Sequence, residues 1–129
     1  MQYSLLVTAG PDSQAATTAL RAAEAVLARG HTLFRVFFYR QGVLLANRLT
    51  SVSAGETDIC AQWRAFVRDN QLDAVVCIGA ALRRGIVDAT EAARLELDGD
   101  NLAPEFALSG LGQWAEAVAL SDRIMSFGR

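Results

Sequence analysis

Residues 74–85 read AVVCIGAALRRG. An apolar, β-branched run ends on Cys77, Gly79 follows two positions later, and Ala-Ala-Leu-Arg-Arg leads to a closing glycine, Gly85. A strand over 73–78 that passes directly into a short helix is the simplest reading of that order. Cys77 then stands where strand gives way to helix.

The same alternation runs through the rest of the chain. Upstream, YSLLVTA (3–9) is an apolar run closed by the turn signal Gly10-Pro11. Residues 13–29 place Ala16, Leu20, Ala23 and Leu27 at helical spacing, with Gly30 as the stop and Asp12 or Ser13 as N-cap. TLFRVFFY (32–39) is β-branched and aromatic, a second strand. A loop region spans 40–55, and 56–69 form a helix with Ile59, Trp63, Phe66 and Val67 on one face. Downstream, Asp88 and Glu91 have capping-box spacing and open another short helix. FALSG (106–110) is a strand, 111–121 a helix with Leu111, Ala115 and Val118 inward, and RIMSF (123–127) a closing strand. Strands separated by helices build βαβ units, hence a mainly parallel sheet with helices on both faces. In such sheets chemistry collects at the carboxyl ends of the strands, where Cys77 falls.

Bulk properties narrow the function. At 129 residues the chain is the size of one domain, and 52% hydrophobic with 20% charged residues is a globular composition. No apolar run approaches the roughly 18 residues of a membrane span. The opening MQYSLLVTAGPDS reads as a strand and turn and not as a signal peptide, so a cytoplasmic location is expected. With a net charge of −2 and no basic run longer than Arg83-Arg84, direct tight binding to nucleic acid is not expected.

Two cysteines and one histidine are too few for a structural zinc site, and no metal or organic cofactor is called for. Cys60 shares the apolar face of its helix and reads as core. Cys77 has two readings. It is a buried small hydrophobe, or it is a thiol beside the free N–H groups of the following helix, a setting that lowers a thiol pKa from about 8.5 towards roughly 3.5–7.5. Gly79 leaves room for a second sulfur to approach. Six helical residues span roughly 9 Å, which keeps Arg83 and Arg84 away from the thiol and at the helix C-terminus. His31 reads as a polar strand entry. A single aspartate, Asp12, after the first strand does not make a phospho-acceptor cluster, and one glycine there does not make a phosphate loop. The acidic stretch 91–105 reads as a solvated connection.

FFYRQGV (37–43), ANRLTS (46–51), CIGAALRRGIVD (77–88) and LSGLGQWAEA (108–117) together resemble the DsrE-like sulfur-carrier family, in the same order and spacing over nearly the whole chain. The resemblance implies a three-layer α/β/α fold around a five-stranded, mainly parallel sheet (DsrEFH-like), and Cys77 as the residue that accepts persulfide sulfur. It further implies a hetero-hexamer with TusB-like and TusC-like subunits, a TusA-like sulfur donor and a TusE-like acceptor. The relay would serve 2-thiolation of the tRNA wobble uridine. Tyr39 and Arg40 are expected on the same strand-end rim. Two positions depart from the family pattern: Val52 stands where proline is usual, and Trp114 where a smaller aliphatic residue is usual. Cys60 matches no family motif. Two other functions fit the same fold: a DsrE-type subunit of a DsrEFH complex in sulfur oxidation, and a non-catalytic scaffold subunit with an inert Cys77.

Overall fold

The computed structural model describes residues 1–128. Strands β1 (Gln2–Val7), β2 (Thr32–Phe38), β3 (Ala74–Cys77), β4 (Ala107–Ser109) and β5 (Arg123–Phe127) form one sheet in the order β4-β3-β2-β1-β5. Every neighbouring pair is parallel. The helices are α1 (Gln14–Ala28), α2 (Ile59–Asp69), α3 (Ile78–Arg83), α4 (Ala89–Arg94) and α5 (Gly112–Leu120), with a 3-10 helix over Arg40–Ala46. Among the described residues no helix is long and apolar enough to cross a membrane.

Two adjacent residues of β2 assign the layers, because successive side chains of a strand point to opposite faces. Phe38 meets Trp63 of α2 edge-on, with ring centroids 5.3 Å apart, and Phe37 meets Trp114 of α5 at 6.0 Å. Both phenylalanines are fully buried. Trp63 also donates its Nε1–H to the Ala16 carbonyl at 3.1 Å, which ties α2 to α1 on the first face. On the second face Arg35 donates to the Gln113 carbonyl and to Glu116, each at 2.8 Å, and to Asp73 at 2.9 Å. Burial works against the Arg35 charge, but hydrogen bonds to Glu116 and Asp73 outweigh it and hold the guanidinium above its usual pKa. One buried arginine thus clamps α5 to the sheet.

The inward face of α5 differs from the expectation. Leu111 and Val118 are exposed, at 53% and 48%, and Ala115 is exposed as well; Ala117 is the buried residue, with Gln113 and Trp114 half-buried. The sequence GQWAEAVAL is apolar nearly all round, so its periodicity does not choose a face. The Trp114 contact with Phe37 and the Arg35 clamp choose it instead.

Capping follows the local chemistry more closely. Ser13 accepts from the Ala15 amide, Asp58 from Ala61 and Asp88 from Glu91. Asp58 therefore moves the start of α2 from residue 56 to Ile59. At the other ends, α1, α2, α3 and α4 close with the same pair of bonds. The residue after each cap donates to the carbonyl three back, and the next residue to the carbonyl five back: Gly30 to Leu27 and His31 to Val26, Gln71 to Arg68 and Leu72 to Val67, Gly85 to Leu82 and Ile86 to Ala81, Glu96 to Ala93 and Leu97 to Ala92. That motif requires a left-handed residue, supplied by Gly30 and Gly85 but also by Gln71 and Glu96, at φ 50° and 58°. A Cβ in that region costs about 1–2 kcal/mol.

Candidate functional site

In a parallel sheet all carboxyl ends lie along one rim. Here that rim carries Thr8–Ser13 after β1, Tyr39–Gln41 after β2, Cys77 at the end of β3 and Ser109 at the end of β4, with Cys77 and Ser109 paired in register. The β2 end is fixed to its neighbour by the Tyr39 amide, which donates to the Val7 carbonyl at 2.9 Å. Tyr39 is half-buried against the core, and Arg40 is exposed.

Cys77 is at once the last residue of β3 and the N-cap of α3, with an extended backbone (φ −61°, ψ 119°). Its side chain caps no first-turn amide. The residue is 5% exposed, so the thiol is more enclosed than the strand-end position alone implies. Gly79 is exposed, and a Cβ built on it would meet nothing within 4 Å. Glycine at a helical position without such a contact gains stability when replaced by alanine, about 0.5–1 kcal/mol. Gly79→Ala is therefore expected to raise the urea midpoint. Equal or lower stability would mean that the position needs glycine for its own backbone.

Cys60 is a different environment. It is 3% exposed, its Sγ lies 3.8 Å from the Leu44 carbonyl, and burial pushes its thiol pKa up. A folded-state pKa above the unfolded one means that the folded chain holds the proton more tightly. The associated stability is intact below the ordinary thiol pKa, near 9.0, and is lost as pH rises through and beyond it. Wild type is expected to lose more stability than Cys60→Ala between pH 8 and 10, as read by urea unfolding. Identical losses would refute the assignment.

The other sequence candidates separate in space. His31 enters β2 at the amino end of the sheet, with its ring 5.3 Å from that of Tyr3, so it faces away from the Cys77 rim. Arg84 donates to the Ala80 carbonyl at 3.1 Å, within its own helix, and Arg83 is exposed in the last turn of α3. Val52 lies in an exposed loop, and Trp114 is the Phe37 contact. Among the described residues, no three His, Cys, Asp or Glu side chains gather as a metal site. A cavity of about 370 Å³ along the rim, between the β1–α1 turn and the 3-10 helix, was not legible beforehand. Its lining includes Thr8, Gly10, Asp12, Ser13, Gln41 and Leu44.

Residues 1–127 match the profile of the DsrE/DsrF-like family. A protein of Pectobacterium carotovorum subsp. carotovorum named Sulfurtransferase TusD is 50% identical over 129 residues, covering 98% of this chain and 99% of its own. A protein of the same name from Enterobacter sp. is 47% identical, covering 98% and 100%. Among solved structures, the ychN protein from E. coli superposes with a TM-score of 0.74 at 19% identity, over 98% of this chain and all of its own, a likeness of fold.

Proposed function

The chain belongs to the DsrE/DsrF-like family and is a sulfurtransferase, and from that premise we propose that Cys77 is the residue that carries the sulfur. The observation that carries this reading is the place of Cys77: it ends β3 on the carboxyl rim and caps α3, beside an exposed glycine with open space above it. The other cysteine, Cys60, is buried in the first turn of α2 with its Sγ against the Leu44 carbonyl.

The transfer is a displacement at sulfur. The Cys77 thiolate attacks the outer sulfur of a donor persulfide, R–S–SH. The Cys77–sulfur bond forms as the donor S–S bond breaks, the donor leaves as R–S⁻, and Cys77 becomes Cys–S–SH. An acceptor thiolate repeats the step in the other direction. Electrons balance within the sulfurs, so no outside oxidant is consumed. The first-turn amides of α3 receive no cap from the Cys77 side chain and are the donors this reading assigns to the sulfur anion.

The proposal extends to the pathway. The donor is a TusA-like protein, the acceptor a TusE-like protein, and the end use is 2-thiolation of the tRNA wobble uridine in the cytoplasm. The protein works within a hetero-hexamer with TusB-like and TusC-like subunits. Exposed Leu111, Val118 and Leu120 around α5, with Ile124 on the edge strand β5, support a chain that buries further surface against partners. The 5% exposure of Cys77 favours the rival reading, a scaffold subunit with an inert thiol. Intact-protein mass spectrometry after exposure to a cysteine desulfurase, cysteine and a TusA-like donor decides between them. A reductant-labile gain of one sulfur, mapped to the Cys77 peptide, is expected. An unmodified chain in the complete complex would leave the scaffold reading.

A further inference from the structure

Among the described residues, three non-glycine residues have left-handed backbones: Arg40, Gln71 and Glu96. The last two close α2 and α4, where the motif demands it. Arg40 closes nothing. It follows β2 and opens the 3-10 helix, at φ 51°. The turn around it is fixed by two bonds of 2.9 Å, from the Tyr39 amide to the Val7 carbonyl and from the Gly42 amide to the Tyr39 carbonyl. The surroundings thus impose a conformation suited to glycine, and the position holds an arginine.

That arginine is also unspent. Arg21, Arg35, Arg48, Arg64, Arg68 and Arg94 pair with carboxylates, and Arg84 bonds within α3. The Arg40 side chain is exposed and, among the described residues, makes no hydrogen bond or ion pair. Its place is specific. Phe38 and Val76 are partners in the ladder, so one residue further the extended Tyr39, just past β2, falls beside Cys77, the last residue of β3. Strand spacing of about 4.8 Å and a Cα step of about 3.8 Å put the Arg40 Cα within about 9 Å of the Cys77 Cα.

We infer that Arg40 recognises the anionic sulfur handed to and from Cys77. The inference rests on Cys77 being the carrier. In each transfer one negative charge passes between two sulfurs, from the attacking thiolate to the departing one, and both lie at this rim during the step. A guanidinium there draws in the charged partner and stabilises the shared charge. Arg84 is held by the Ala80 carbonyl, and Arg83 lies exposed in the last turn of α3.

The test reads local charge at Cys77 in the full-length chain. Alkylation of the Cys77 peptide by iodoacetate, an anion, is compared with alkylation by neutral iodoacetamide at low salt. The iodoacetate-to-iodoacetamide rate ratio is expected to fall about three-fold or more in Arg40→Gly, to be largely kept in Arg40→Lys, and to match wild type in Gln71→Gly. Glycine suits the Arg40 backbone, so loss of folding does not confound the variant. In 1 M salt, where the screening length is about 3 Å, the wild-type excess should vanish. An unchanged ratio in Arg40→Gly, or an equal fall in both rates, overturns the role of Arg40 and leaves the Cys77 carrier intact. A wild-type Cys77 that reacts with neither reagent overturns the carrier and this inference with it.

Discussion

A Cys77→Ser chain is expected to lose sulfur loading altogether while keeping its stability within about 1 kcal/mol of wild type. The two halves of that expectation come from the same geometry. A hydroxyl cannot hold sulfane sulfur, so loss of loading should be complete and not graded. Cys77 is also the N-cap of α3, with the extended backbone typical of that position and no cap bond of its own. Serine is among the best N-caps, and its gain of about 0.5–2 kcal/mol over an uncapped end offsets the cost of placing a hydroxyl at a 5% exposed site. Architecture alone would be served as well by serine as by cysteine here, which argues that the thiol is kept for chemistry. Cys60→Ser makes the converse case. It removes a thiol from the core beside Leu44, so loading should persist and stability should fall. Loading that survives in Cys77→Ser and disappears in Cys60→Ser would reverse the assignment.

The placement of Cys77 was legible because its signals are local. AVVC is too apolar and β-branched for anything but a buried strand, and Gly85 ends the helix that follows. The family motifs then pointed to the same residue. What the sequence concealed depends on contacts between distant segments. The face of α5 was hidden because GQWAEAVAL carries no polar stripe, and only Phe37 and Arg35 decide it. The left-handed backbones of Gln71 and Glu96 carry no glycine signal; four-helix repetition of one closing motif reveals them. The 3-10 helix over Arg40–Ala46 reads as loop because it lacks the 3.6-residue period, and in the fold its Gly42 packs against the end of β1 at Val7. That Arg40 makes no ion pair among the described residues is likewise a tertiary fact with no local signature.

Gly42→Ala is the substitution expected to damage the fold most for a single added methyl. Its backbone is not left-handed, so by conformation alone alanine would stabilise the 3-10 helix by about 0.4–1 kcal/mol. Contact decides the sign instead. A Cβ on residue 42 would lie 2.1 Å from the Val7 carbonyl oxygen, 2.9 Å from its carbon and 3.4 Å from the Thr8 Cα. All three are backbone atoms of β1 and its exit, which cannot rotate away as a side chain would. The same Val7 oxygen accepts from Tyr39, so moving it breaks a bond of the β1–β2 ladder. Leu5 and Val7 are fully buried on one face of β1, and bending its end would disturb the layer packed there. Overpacking against rigid backbone at the centre of a sheet is expected to cost about 3 kcal/mol or more, well beyond the propensity gain. Urea unfolding should show the loss as a lower midpoint with unchanged slope; a variant within about 0.5 kcal/mol of wild type would sink the prediction. The variant has a second consequence at the rim. Lifting the 3-10 helix off β1 releases the turn that holds Arg40, so any folded Gly42→Ala chain should also lose the charge selectivity of Cys77 alkylation, although Arg40 itself is untouched.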